Sequence, residues 1–150
     1  MKLTKTSAQA ALAMGYLADQ PEGRPTQARQ VAEYLGIPTD SALKILQTLV
    51  RQQVLRSQLG RSGGYHMLMP AEHISLLQII EAIDGPIAAE LPIDSSDETL
   101  AQPLSTLREA CVRSADHLRV ELSRITVADL TAEGRPSVTV IPVNPFAVAG

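Results

Sequence analysis

At 150 residues the chain has room for one domain, or for one small domain with an oligomerisation element. Aromatic residues make up 3% of it and Trp is absent, so the core must be aliphatic, and the scarcity of rings argues against a stacking platform for single-stranded nucleic acid. The net charge of −3 is unevenly divided: residues 1–70 carry +4 and residues 71–150 carry −7, which puts any phosphate-compatible surface in the first half.

Residues 5–19 have helical periodicity, with Ala8, Ala11, Leu12, Gly15, Tyr16 and Ala18 as a small-residue packing face that the polar DQPEGRP loop ends. Lys2 and Lys5 stand at its start, either beside phosphate or simply solvated. Thr26 has the chemistry of an N-cap for a second helix through Leu35, with Val31, Ala32 and Leu35 inward. Gly36 suits the C-terminal cap, and Pro38 forbids simple continuation. Thr39, Asp40 or Ser41 then caps a third helix. Its apolar stripe is Ala42, Ile45, Leu46 and Leu49; Asp40, Lys44, Gln47 and Arg51 repeat on the opposite side.

Strands are expected at 54–58 and 65–69, joined by LGRSGG, where three glycines in six residues permit a tight tip. Residues 35–65 thus follow the order of a winged helix-turn-helix, in which the second helix enters the DNA major groove and the wing straddles the backbone. The expected DNA contacts are Thr39, Asp40, Ser41, Lys44, Gln47, Arg51, Arg56, Arg61, Ser62 and Gly63. A merely solvated helix face, or a structural salt bridge at Arg61, is the plain alternative. The turn before the helix and the cationic hairpin after it favour DNA.

A fourth helix follows in ISLLQIIEAIDGP (74–86), with Ser75 and Gln78 as a capping box and Leu76, Ile79, Ile80 and Ile83 as its stripe. Residues 87–102 form an acidic loop. There Glu90, Asp94, Asp97 and Glu98 either hold a hard cation or, the favoured reading, are solvated. Pro103 is expected to open the longest helix, to about residue 124. Leu104, Leu107, Cys111, Ala115, Leu118, Leu122 and Ile125 follow steps of three and four, a heptad-like seam with no globular domain left to cover it. A partner chain covers it most economically, giving a two-fold homodimer and a palindromic operator; packing on the chain's own head is the alternative. Thr126 caps a short helix through residue 130. The apolar tail, with three prolines, is at most an edge strand.

The expected organisation is a DNA-binding head (1–86), the acidic loop (87–102), a dimerisation helix with a short C-terminal helix (103–131) and the tail (132–150). The fold class is mainly α with a small β-wing.

The pieces MKLT at the start, GIP at 36–38, LKIL at 43–46, GRSGGY at 60–65, ISLLQIIEAIDGP at 74–86 and ITVADL at 125–130 together resemble the Rrf-two family of bacterial winged-helix regulators. That resemblance implies a winged head plus a long dimerisation helix exchanged between subunits. It also implies, for cluster-binding members, three cysteines ahead of the dimerisation helix and sometimes an acidic ligand near the N-terminus. Here residues 87–110 hold no cysteine, position 8 is Ala, and the lone Cys111 sits on the helical seam. Iron–sulfur iron is held by thiolates, so no cluster and no other cofactor is expected. The wing departs too, with Leu59 where relatives often have Arg, and Arg61 two residues on.

The expected function is a sequence-specific, homodimeric DNA-binding transcriptional regulator, a repressor, whose partners are a palindromic duplex and an effector small molecule or partner protein. Alternatives are a winged-helix interaction module that no longer binds DNA, or a thiol-based redox regulator through Cys111. For Cys111, a small buried apolar side chain is the better account; Arg108 and Arg113 are near in sequence but off the seam. An enzyme is the weakest reading: His66, His73 and His117 show no metal-ligand spacing, and GRSGG lacks the lysine and helix of a phosphate-binding loop. No apolar run spans a bilayer and no signal-peptide core is present, so a cytoplasmic location is expected.

Overall fold

Thr4 starts the first helix by accepting a hydrogen bond from the Ser7 N–H, and α1 runs Lys5–Ala18. A computed structural model describes residues 3–134, so Lys2 and the tail from 135 onward lie outside the described residues. Further elements are α2 (Ala28–Leu35), α3 (Thr39–Arg51), β1 (Leu55–Gln58), β2 (Gly64–Met67), a 3-10 turn at Ala71–His73, α4 (Leu76–Asp84), α5 (Glu98–Arg124) and a last 3-10 turn at Val127–Leu130. β1 and β2 are antiparallel, with Leu55 opposite Met67 and Gln58 opposite Gly64.

The α3 stripe packs as expected: Ala42, Leu46 and Leu49 are fully buried and Ile45 is 4% exposed. Met14 of α1, Val31 of α2, Leu55 of β1, Ile79 of α4 and Val127 complete one aliphatic core beneath the helix-turn-helix. Ser75 and Gln78 do form the capping box of α4, and Asp129 caps back onto both the N–H and hydroxyl of Thr126.

Two expected caps are corrected. Thr26 does not cap α2; it is 3% exposed and exchanges backbone hydrogen bonds of 3.0 and 2.9 Å with Tyr65, so it extends the wing sheet by one bridge. Gln27 takes the cap position, its N–H donating to Gln30 Oε1 at 2.8 Å. Nor does Thr39, Asp40 or Ser41 cap α3. Pro38 stands there, and its carbonyl accepts from the Ser41 and Ala42 N–H groups. Proline already has the fixed φ and extended ψ that an N-cap needs, and this frees the three side chains to face outward.

The long helix also begins earlier than Pro103. The Asp97 carboxylate accepts from the Thr99 N–H and hydroxyl, so α5 starts at Glu98 and carries Pro103 within it. Those two bonds hold the Asp97 carboxyl below the ordinary carboxylate range, so this cap is fully in place above that range, persists as the pH falls through it, and is lost only as the pH falls through the lowered value of the folded state. α5 is tied to α4 toward its C-terminal end, where Arg119 pairs with Glu81, and Leu122 is buried nearby in sequence. Glu81 Oε1 also accepts from the Ile87 N–H at 3.0 Å, which fixes the chain as it leaves α4.

Gly15 faces the last 3-10 turn so closely that a Cβ there would lie 2.5 Å from the Leu130 carbonyl oxygen. Alanine is the better helix former by about 1 kcal/mol, but crowding a packed backbone costs about 1–3 kcal/mol. Gly15→Ala is therefore expected to lower the urea midpoint, whereas a helix that tolerated the methyl would become more stable.

Candidate nucleic-acid interface

The amphipathic stripe of α3 dictates which of its side chains reach solvent. Thr39, Asp40, Lys44, Gln47 and Arg51 are exposed and Ser41 is half-buried. Thr48 on the same face donates to the Lys44 carbonyl, and its hydroxyl accepts from Arg51 Nη2 at 2.8 Å. Arg51 is thus steadied by a neutral oxygen rather than by a carboxylate. Among the described residues the ion pairs join Arg29 to Glu33, Arg119 to Glu81 and Arg124 to Glu121, and none uses Lys44, Arg51, Arg56 or Arg61. Cations without a carboxylate partner are what a phosphate-binding surface requires.

Two clefts frame α3. One of about 440 Å³ separates the helix from the wing and is lined by Gln47, Arg51, Ser57, Gln58, Leu59 and Tyr65, with Val50 and Gly64. No carboxylate lines it. Burial raises the Tyr65 phenol above its ordinary value, so the ring stays neutral and adds no anion to the wall. The second, about 330 Å³, lies at the starts of α1 and α3 and brings Lys5, Thr6 and Gln9 beside Ser41 and Lys44. Lys5, left open by the sequence, thereby joins the cationic face.

The wing residues divide. Arg61 and Ser62 are exposed at the tip, beyond Gln58 and Leu59. Gly63 is buried inside the turn, where its N–H bonds the Gly60 carbonyl and a Cβ would sit 2.2 Å from the Gln58 oxygen. Its contribution is to the shape of the turn. Arg56 lines neither cleft beside α3. It opens instead onto a separate groove of about 600 Å³ with Arg24, Glu22, His66 and Glu72. Ser57, Gln58 and Tyr65 were missed by sequence reasoning; the polar run after Leu55 was the one signal available.

Comparison with known proteins places this arrangement. The Rrf2 family model, described as an iron-dependent transcriptional regulator, matches residues 3–133. The chain belongs to the Rrf2 family. An HTH-type transcriptional regulator of Mycobacterium tuberculosis strain H37Rv is 29% identical over 136 residues, covering 91% of this chain and 84% of the relative. Among solved structures, CymR, the global cysteine regulator of B. subtilis, has a TM-score of 0.71 at 22% identity, covering 90% of this chain and 99% of CymR. A transcriptional regulator from Listeria innocua gives 0.71 at 21%, covering 99% and 96%. IscR of T. potens gives 0.60 at 18%, covering 87% and 85%. These structures share the winged-helix fold. The Rrf2 chain is accordingly a DNA-binding transcriptional regulator.

The family's description raises the question of iron. Among the described residues no group of three His, Cys, Asp or Glu side chains can hold a metal ion, and the single cysteine, Cys111, is half-buried on α5. No helix among the described residues is long and apolar enough to cross a membrane.

Proposed function

We propose that this Rrf2 chain acts in the cytoplasm as a homodimeric repressor that grips a palindromic operator through two copies of α3 and the wing. The observation that carries the dimer is the bare seam of α5. Leu107 is 46% exposed, and Leu104, Cys111, Ala115 and Leu118 are only half-covered before Leu122 reaches the head. The earlier start of α5 adds Leu100, 43% exposed and one turn ahead of Leu104, to the same stripe. An apolar stripe of this length in water favours a second copy of itself. Two heads on a two-fold axis then present two recognition helices to two half-sites.

We infer that no iron–sulfur cluster is involved. A cluster held within one chain needs several thiolates, and the sequence supplies one. The donor set does not fit. Regulation then falls to an effector small molecule or a partner protein. Cys111 lies on the seam that a dimer covers, which leaves its thiol a packing role.

Gel-shift titration of promoter fragments at two salt concentrations tests the DNA reading. Affinity is expected to fall steeply with salt, and Lys44→Ala or Arg61→Ala is expected to reduce the slope of log affinity against log salt by about 1 each. Weak, salt-insensitive binding to every fragment would leave a protein-interaction module as the better account.

A further inference from the structure

Leu59 stands 94% exposed at the wing tip, while the other exposed large apolar side chains among the described residues reach at most 55%. It contributes nothing to the core cluster. Turn tips favour small polar residues, so the fold itself has no use for leucine here. A solitary surface apolar residue is ordinary in general. What distinguishes Leu59 is its neighbours: it lines the same cleft as Gln47 and Arg51 of α3 and Ser57 and Gln58 of β1, with Arg61 just beyond it. The cleft's one charged side chain is Arg51, and no carboxylate enters it, so its complement is anionic.

We propose that Leu59 packs its side chain on the deoxyribose face of the DNA strand seated between α3 and the wing, an apolar contact that supplements the cationic ones. This rests on the DNA reading above. A sugar–phosphate strand alternates anionic and largely apolar surfaces. The cleft offers both complements, Arg51 and the amide side chains for phosphate and Leu59 for the sugar. Such a contact displaces no counterion and reads no base. It therefore adds affinity that is insensitive to salt and to sequence, unlike the contribution of Arg61.

The test is fluorescence anisotropy of the full-length protein on an operator duplex selected from random sequence and on a scrambled duplex of equal length, across a salt series. Leu59→Ala is expected to weaken binding to both duplexes by the same factor, on the order of tenfold, with the salt slope unchanged. Leu59→Met, which keeps the apolar volume, is expected to restore it, and both variants should melt with the wild type because Leu59 lies outside the core. Arg61→Ala is expected instead to lower the slope by about 1. Wild-type affinity in Leu59→Ala alongside weakened Arg61→Ala would overturn the Leu59 contact and leave the DNA reading standing. A loss confined to the operator, or a changed salt slope in Leu59→Ala, would overturn it equally. Absence of salt-dependent binding by the wild type would overturn both.

Discussion

A Leu107→Asp variant is expected to be monomeric and to lose at least about a hundredfold in operator affinity. Leu107 is 46% exposed in the isolated chain, so a carboxylate there meets water and costs the single subunit little. In a two-fold dimer the same substitution enters the interface twice and places two carboxylates on an apolar seam without partners. The dimer is the species that gives way. Operator affinity follows because two linked heads make the second half-site an intramolecular event, worth about 10²–10⁴ in overall affinity. Analytical ultracentrifugation and anisotropy on one sample check both parts, and an unchanged circular dichroism spectrum would show the head intact. A Leu107→Asp protein that stayed dimeric with wild-type affinity would remove the basis for placing the interface on α5.

Leu46→Ala is expected to be the most damaging single change within the head. Leu46 is fully buried directly beneath the exposed face of α3, and truncating such a side chain costs about 2–5 kcal/mol through lost burial and the cavity left behind. That is a large share of the roughly 5–15 kcal/mol that holds an ordinary domain folded. Urea unfolding at fixed protomer concentration measures it, since a dimer's stability depends on concentration. Lys44→Ala on the same helix is expected to leave stability within about 0.5 kcal/mol while weakening DNA binding. The two variants separate the packing side of α3 from its working side. A loss below about 1 kcal/mol for Leu46→Ala would mean that the site collapses around the smaller residue.

Much of the candidate interface was legible from spacing alone. The buried and exposed faces of α3 follow from steps of three and four, and every residue of the expected stripe is at most 4% exposed. The boxes at Ser75–Gln78 and Thr126–Asp129 were legible or partly so for the same reason: the partners lie within one turn of each other. Pro103 misled because proline suits a first turn, and the Asp97 cap ahead of it outweighed that preference. Thr26 misled because a hydroxyl beside a helix start looks like a cap, whereas its backbone pairs with Tyr65 across the loop.

By itself the sequence determined the order of the helices, the apolar faces of α2, α3 and α4, and the concentration of cations in the first half. Those properties depend on neighbours a few residues apart, where periodicity and local charge suffice. It misplaced part of the face of α1, where Leu12 is 50% exposed and Ala10, Ala13, Met14 and Leu17 are buried instead. Only the tertiary structure decided that Lys5 lies beside Lys44, that Arg56 opens onto a different groove from Arg51, and that Gly15 must stay bare under Leu130. Each of these depends on surfaces contributed by elements distant in the chain, and no local pattern encodes the distance between them.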